Sequence, residues 1–332
     1  MVPDAALVTR FSDDLGALVG AGARVGVAVS GGPDSLALLL LAAAARPDRV
    51  EAATVDHGLR AEGREEAATV AQICERLGLR HATLTARWSE VPQTAIQERA
   101  RQQRYRLLGY WAEERGLDAL ATAHHADDQA ETLLMRLARG SGVRGLAGMR
   151  SRSVTPGSHI KLIRPLLGWR RSELEAVCTK SGLKPVADPS NEDDRFERIR
   201  VRRALADCAW LDPAAVARSA ANLGEADAAL DWASRFEWCQ SVGERRDTIH
   251  YGPGDAPAEI VRRIVVRVIR KLAIEGDSEL RGSELNRLIT TLSGGGSATI
   301  RGVHCRGGSE WTFEVAPARR NRESPQRHKR PR

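Results

Sequence analysis

Cysteine is scarce in this chain of 332 residues, and it is scattered. The thiols are an odd number, lie far apart and never form a CxxC pair; they are Cys74, Cys178, Cys208, Cys239 and Cys305. Zinc and iron–sulfur sites use closely spaced thiols, and a disulfide framework uses an even number of them. The spacing therefore excludes both kinds of site and favours a reducing cytoplasm.

Long apolar segments are also missing. The longest apolar run extends from Leu36 to Ala45, which is about half of the ~20 residues that a membrane-spanning helix needs. The N-terminal residues show no basic leader followed by an apolar stretch, so no secretory signal is expected. These absences predict a protein that does not enter a membrane.

Lysine is rare, and the first lysine is Lys161. A Walker A loop needs the pattern GxxxxGK, so the first 160 residues cannot contain one. The net charge is +7, of which +6 comes from Arg319–Arg332, where seven basic residues face the single acid Glu323. Such a tail is either a solvated basic segment or a tether for nucleic acid.

Strand-like and helix-like segments alternate over the first two thirds of the chain. This alternation predicts an α/β fold with a doubly wound, mostly parallel sheet. Ligands of such folds bind at the carboxyl ends of the strands, where the strand order reverses. We expect a larger domain with this sheet at residues 1–208, a smaller C-terminal α/β or mostly helical domain at 209–318, and a basic, disordered tail at 319–332. Strands are predicted at 24–30, 50–56, 81–86, 119–123, 162–166, 298–303 and 311–315.

The segment Ser30–Ser35, SGGPDS, lies between a predicted buried strand and a predicted helix. Two adjacent glycines let backbone amides converge on an anion, and a helix N-terminus adds its positive dipole end. The serine hydroxyls can donate to phosphate oxygens, and Asp34 can bind a magnesium ion that bridges them. The plainer alternative is a glycine-rich turn with a capping serine.

The segment Ala121–Met149 concentrates titratable groups at a predicted strand end and helix start. These groups are His124, His125, Asp127, Asp128 and Glu131. Asp128 and Glu131 are three residues apart and share one helix face. Carboxylates beside a triphosphate can hold magnesium or bind a cationic substrate, and a histidine can orient reacting groups. A zinc site and an acidic helix cap are the alternatives, although the segment lacks the HExxH spacing of a zinc site.

These motifs resemble those of known protein families. SGGPDS resembles the pyrophosphate loop of the N-type ATP pyrophosphatases, the PP-loop superfamily. HHADDQAET, RGSGVRGLAGM, RPLL and DPSN follow one another as in the tRNA(Ile)-lysidine synthetases. The likeness covers residues 24–205 well. One departure is Ile199, which follows Arg198 where the family usually has asparagine, and the chain resembles the family's compact form.

The resemblance implies roles for particular residues. ATP is expected at Ser30, Gly31, Gly32, Pro33, Asp34, Ser35, Asp56 and His57, and magnesium (Mg2+) at Asp34 and Asp127. The catalytic set would be Asp34, His124, Asp127 and Asp128, and free lysine would be bound by Asp128 and Glu131. Contacts with tRNA phosphate or with the lysine carboxylate would fall to Arg101, Arg195, Arg198 and Arg202.

The resemblance also implies a reaction. ATP would adenylate the C2 oxygen of the first anticodon cytidine of tRNA(Ile) with a CAU anticodon, and free L-lysine would then displace AMP. Two alternatives are base thiolation, which the scattered cysteines disfavour, and a non-catalytic RNA-binding protein that senses nucleotide. The sequence leaves the oligomeric state open, a homodimer included.

Overall fold

A computed structural model describes residues 2–59, 62–88, 95–183, 197–273 and 280–317. The chain divides into two compact units, Met1–Glu225 and Ala226–Arg332. Within the described ranges, no helix combines the length and the apolar character that crossing a membrane requires. The domain limits predicted from the sequence remain predictions.

The first unit contains a six-stranded sheet in the order β3-β2-β1-β4-β6-β5. Its strands are β1 (Val25–Ala28), β2 (Val50–Asp56), β3 (Arg80–Thr85), β4 (Ala119–Ala121), β5 (Arg152–Val154) and β6 (Lys161–Ile163). All neighbouring pairs are parallel except β5 and β6, which are antiparallel. The predicted doubly wound α/β fold is therefore confirmed. The short edge strand β5 is a feature that the sequence analysis missed.

Helices precede, connect and follow these strands in the first unit. They are α1 (Ala5–Gly16), α2 (Pro33–Ala45), α3 (Glu62–Arg76), α4 (Ile96–Glu114), α5 (Ala126–Leu137), α6 (Val143–Leu146), α7 (Arg171–Lys180) and α8 (Glu197–Ala206). Helix α2 is apolar around its whole circumference and is buried from Ser35 to Ala42. Because both it and β1 lie in the main core, the turn between them is supported on both sides.

The second unit contains a five-stranded antiparallel sheet in the order β7-β8-β11-β10-β9. Its strands are β7 (Val242–Arg245), β8 (Thr248–Tyr251), β9 (Ser297–Ile300), β10 (Val303–Arg306) and β11 (Trp311–Val315), with helices α10 (Ala258–Leu272) and α11 (Gly282–Ser293). Helix α9 (Pro213–Ser241) extends across the division between the units. Strands β7, β8 and β10, each four residues long, were not predicted from the sequence, and the single strand predicted at 298–303 is interrupted by a turn at 301–302 between β9 and β10.

The strand order brings three loops to one edge of the first sheet. Strand β1 lies between β2 and β4. The loops that follow β1, β2 and β4 therefore leave the sheet side by side at its carboxyl edge. The connection from β1 leads to β2 on one side, while β4 pairs on the other, so the strand order reverses here.

Candidate active site

The loop Ser30–Ser35 folds back on itself at the start of α2. Gly31 has a φ of 89°, a conformation that side chains other than hydrogen disfavour. The Ser35 hydroxyl accepts the backbone N–H of Ser30 at 3.1 Å and donates to the Gly32 carbonyl at 2.9 Å. Pro33 occupies the first turn of the helix, where its missing N–H costs nothing. The loop is thus closed by its own serine and lies at the positive end of a helix dipole.

A cavity of about 760 Å³ opens beside this loop in the first unit. Ten of the residues singled out from the sequence line it: Ser30, Gly32, Pro33, Asp34, Ser35, Asp56, His57, Arg101, His124 and Arg202. Of the other predicted site residues, the wall does not include Gly31, Asp127, Asp128, Glu131 or Arg198. Arg195 and the segment DPSN lie outside the described residues. The cavity is large enough for a nucleotide.

The two carboxylate oxygens of Asp34 differ in their contacts. Oδ1 is buried and has no hydrogen-bond partner among the described residues, while Oδ2 lies 3.5 Å from His125 Nε2. Magnesium prefers carboxylate oxygens and usually takes only one or two of them, with water and phosphate completing its shell. Asp34 therefore fits a magnesium ion, although the described residues contain no cluster of three or more metal-binding side chains.

His125 lies between three carboxylates. Its ring nitrogens are 3.5 Å from Asp34, Asp127 and Asp128, which is an ion-pair distance rather than a short hydrogen bond. Burial lowers the pKa of His125, but Asp127, Asp34 and Asp128 outweigh burial and raise it to about 10. In this ligand-free arrangement, a protonated imidazole compensates the negative charge under the phosphate loop.

His124 has the opposite electrostatic environment. Burial lowers its pKa to about 4, with Arg164, Arg101 and Arg198 acting in the same direction and Asp128 opposing them. Its Nδ1 lies 3.0 Å from the Thr122 hydroxyl. His124 is therefore a neutral imidazole in the cavity wall, whose orientation is held by a threonine that the sequence analysis did not single out.

Asp127 joins the starts of two helices. Its Oδ2 accepts the backbone N–H of Arg171 at 2.8 Å, and its Oδ1 lies 3.3 Å from the Arg170 guanidinium. Burial raises the pKa of Asp127, but His125 and these donors lower it well below its usual range. Because protein donors engage both oxygens, this geometry fits magnesium less well than Asp34 does.

Glu131 is 1% exposed and holds two arginines of α8. Its oxygens accept Arg202 Nε at 2.6 Å and Arg198 Nε at 2.7 Å. Burial lowers the pKa of Arg202, but Glu131 first, then Asp128 and Asp34, raise it. Asp128 accepts the backbone N–H of His125 at 3.1 Å and thereby caps α5. The resemblance implies that Glu131 binds the lysine substrate, whereas in this structure its carboxylate already forms ion pairs with Arg198 and Arg202.

The end of β2 and the residues after it form another part of the wall. Asp56 Oδ1 accepts the backbone N–H of Gly58 at 2.9 Å. The His57 carbonyl accepts the indole N–H of Trp88 at 2.7 Å. Arg101 lies 5.1 Å from the ring centre of Tyr105, a cation–π distance. These contacts shape the part of the cavity wall next to the end of β2.

Gln129 of α5 is hydrogen-bonded to the loop that follows this helix. Gln129 donates to the Met149 carbonyl at 2.8 Å and accepts the Met149 N–H at 2.7 Å. Arg136 donates to the Gly145 carbonyl at 2.7 Å. The sequence analysis gave Gln129 no role, because no local pattern indicates a partner 20 residues away.

Comparison with known proteins places the chain in a class. Residues 8–209 match the family model described as a PP-loop domain. The fold resembles that of the U34-tRNA thiolase NcsA from Methanococcus maripaludis, with a TM-score of 0.54 at 18% identity over 65% of this chain and 76% of that one. The sheet, the loop Ser30–Ser35 and this match define a PP-loop protein of the ATP-using class.

Sequence relatives narrow the class to one family. The chain is 48% identical over 320 residues to the tRNA(Ile)-lysidine synthase of Novosphingobium aromaticivorans, covering 96% of each chain. It is 42% identical over 299 residues to that of Zymomonas mobilis, covering 90% of each. The chain therefore belongs to the tRNA(Ile)-lysidine synthase family.

Proposed function

We propose that this protein ligates free L-lysine to C2 of the cytidine at the first anticodon position of tRNA(Ile) with a CAU anticodon, consuming ATP and releasing AMP and diphosphate. The observation that carries the proposal is the cavity that joins the loop Ser30–Ser35 to His124 and Arg202 in a chain of this family. The reaction belongs in the cytoplasm, where the five free cysteines stay reduced.

ATP would bind with its β- and γ-phosphates on the Ser30–Ser35 loop. Backbone amides and the N-terminus of α2 favour negative charge there. The adenosine would lie toward Asp56 and His57, which line the same cavity after the adjacent strand β2. Because the glycines have no side chain, the backbone can approach the phosphates closely. Glycine is also required at position 31 because a residue with a β-carbon would be strained at its φ of 89°.

In the first step, the cytidine C2 oxygen would attack the α-phosphorus of ATP. The bond from the C2 oxygen to phosphorus forms, the bond to the bridging oxygen breaks, and diphosphate leaves. Magnesium on Asp34 would supply charge neutralisation for the phosphate oxygens. The amides of the loop stabilise the negative charge that develops on the departing diphosphate. The cytidine must leave its stack to reach the cavity.

In the second step, the ε-amine of lysine would attack C2. The C2–N bond forms, the C2–O bond breaks, and AMP leaves with the former C2 oxygen. Adenylation is needed because an amide-like oxygen is a poor leaving group. Neutral His124 in the cavity wall is suited to orienting the reacting groups. Asp128 would supply a negative charge for the lysine ammonium and would accept the proton that the ammonium loses to become the attacking amine.

Two other functions fit this cavity less well. Base thiolation would use a reactive thiol, but no cysteine is among the described residues that line the cavity. Burial also raises the pKa of Cys178, the thiol that donates to the Pro33 carbonyl, to about 11. A non-catalytic nucleotide sensor would bind ATP without releasing diphosphate. No contact among the described cavity residues favours that function over catalysis.

The test is an incubation with ATP, magnesium, radiolabelled lysine and a tRNA(Ile) transcript with a CAU anticodon. We expect label in the RNA and one diphosphate released per lysine incorporated. A matched transcript with uridine in place of that cytidine should stay unlabelled. Diphosphate release without labelled RNA would indicate another PP-loop reaction, and the absence of both would favour the nucleotide sensor.

A further inference from the structure

Thr122 directly follows β4, and its side chain contacts the imidazole of His124 two residues later. The Thr122 hydroxyl oxygen lies 3.0 Å from His124 Nδ1, a hydrogen-bond distance for either direction of donation. Thr122 is 8% exposed, and both residues line the cavity that contains the Ser30–Ser35 loop. Among the described residues, the Thr122 hydroxyl has no other hydrogen-bond partner. The direction of this one hydrogen bond therefore decides which ring nitrogen carries the proton.

The contact itself favours one direction. A hydroxyl has one proton to donate, and a neutral imidazole has one nitrogen that donates and one that accepts. His124 is neutral because burial lowers its pKa to about 4. If Nδ1 donated to the threonine, the buried hydroxyl proton would have no acceptor among the described residues, which is unfavourable. If the hydroxyl donates to Nδ1, its proton is satisfied and the imidazole proton lies on Nε2.

His124 Nε2 is the ring nitrogen that a substrate can reach. It has no hydrogen-bond partner in the described ranges and is not one of the unpartnered atoms that are buried, so it is accessible in the cavity wall. Around this imidazole, the cations Arg164, Arg101 and Arg198 oppose the single carboxylate of Asp128. An N–H donor among cations favours an oxygen that gains negative charge during a reaction. A neutral imidazole can be such a donor.

Resting on the proposed function, we propose that Thr122 is a positioning residue: its hydroxyl donates to His124 Nδ1 and fixes the imidazole in the tautomer that carries its proton on Nε2. The Nε2–H then donates to a non-bridging oxygen of the α-phosphate while the cytidine C2 oxygen attacks phosphorus. His124 keeps its proton throughout this step, so it stabilises charge and does not act as a general base. Because Thr122 also limits rotation of the ring, the donor is oriented before ATP binds.

Ring-nitrogen spectra test the tautomer without any substrate. In nitrogen–proton correlation spectra of protein labelled at its eight histidines, the signals that disappear in His124→Gln belong to His124. We expect the wild type to carry the proton on Nε2. The Nδ1 signal should shift in Thr122→Val, which lacks the hydroxyl, and should return toward its wild-type position in Thr122→Ser, which keeps one. A proton on Nδ1 in the wild type, or the same Nδ1 signal in the wild type and Thr122→Val, would overturn the proposal.

Single-turnover diphosphate release measures the effect on the first step. In Thr122→Val the rate constant at saturating ATP should fall about tenfold, because the donor loses the hydrogen bond that orients it. The ATP concentration that gives half the maximal rate should change little, since the oxygen gains its charge in the transition state. Thr122→Ser should release diphosphate at a rate near that of the wild type.

Thr155→Val is a matched control for the loss of a buried threonine hydroxyl. Thr155 is 1% exposed, is not part of the cavity wall, and its hydroxyl has no hydrogen-bond partner among the described residues. This variant should leave the rate of diphosphate release unchanged. If Thr122→Val is as fast as Thr155→Val, the positioning role of Thr122 is wrong.

Two replacements of His124 distinguish its ring nitrogens. The amide nitrogen of a glutamine can take the place of Nε2, whereas that of the shorter asparagine can take the place of Nδ1. His124→Asn should therefore release diphosphate about a hundredfold more slowly than the wild type, and His124→Gln should be about tenfold faster than His124→Asn. Equal or greater activity of His124→Asn would contradict the donor role of Nε2. If the wild type releases no diphosphate, the proposed function fails, whereas the ring spectra still decide whether Thr122 fixes the tautomer.

Discussion

Replacement of Gly148 by alanine should destabilise the first unit through a single collision. Gly148 has a φ of +64°, and a β-carbon built there lies 2.6 Å from Gln129 Oε1, closer than real contacts allow. Gln129 cannot move aside freely, because it is 4% exposed and holds both backbone groups of Met149. The substitution must therefore break that pair of hydrogen bonds.

The magnitude follows from a comparison with Gly140. Gly140 has a φ of +68° with nothing within 4 Å of a built β-carbon, so Gly140→Ala adds conformational strain alone. That strain is roughly 1–2 kcal/mol. Gly148→Ala adds the same strain and leaves buried polar groups unsatisfied, which costs about 1–3 kcal/mol more. We expect the free energies of unfolding of the two variants to differ by about 2 kcal/mol.

Urea denaturation of the wild type, the two glycine variants, Gln129→Ala and the double variant Gln129→Ala/Gly148→Ala measures this difference. Removing the Gln129 side chain removes the collision, so the effects of Gln129→Ala and Gly148→Ala should be strongly non-additive. In the Gln129→Ala background, Gly148→Ala should cost no more than Gly140→Ala does in the wild type. Equal costs for the two glycine variants, or additive effects in the double variant, would refute the reasoning.

Three further predictions concern charged groups. Asp34→Asn should lower kcat by about a hundredfold or more while the fold stays intact. Diphosphate release measures the loss of kcat, and circular dichroism checks the fold. Near-normal turnover would contradict the role of Asp34. Burial raises the pKa of Glu51, but its partners Arg115 and Arg24 outweigh burial and lower it. The ionised form therefore stabilises the fold above its unfolded pKa near 4.5, and this contribution is lost as the pH falls below that value. Glu51→Gln should accordingly lower the urea midpoint at pH 7 more than at pH 3.5, and an equal loss at both would disprove the linkage. In the second unit, Asp227→Asn removes one of three carboxylates around buried Arg263, which keeps Asp231 and Glu259, and should cost about 2 kcal/mol of unfolding free energy; a loss below ~0.5 kcal/mol would contradict this estimate.

Local patterns predicted the sheet well because each strand and helix carries its own signal. The strand predicted at residues 50–56 matches β2 residue for residue, and the phosphate loop follows β1 as expected. Short edge strands gave no such signal. β5 has three exposed residues, and β7 is also largely exposed, so neither shows the alternation of a half-buried strand.

For the candidate site, too, the local sequence indicates some features and not others. The residue types were visible in the sequence, because His124, Asp34 and the glycines stand next to predicted strand ends. Their partners were not visible. The distance along the chain from Glu131 to Arg198 is 67 residues, and that from Asp127 to Arg171 is 44. No local rule connects side chains so far apart.

The amino-acid sequence by itself determined the order of strands and helices, the phosphate loop and the set of charged groups beside it, because backbone preferences and hydrophobic periodicity act over a few residues. Only the tertiary structure decided which charged side chains lie next to one another. Among the described residues, it raises the pKa of His125, lowers that of His124, leaves Oδ1 of Asp34 without a hydrogen-bond partner and pairs Glu131 with Arg198 and Arg202. Burial and distance set these states, and both depend on helices that are far apart in the chain and packed together in the fold.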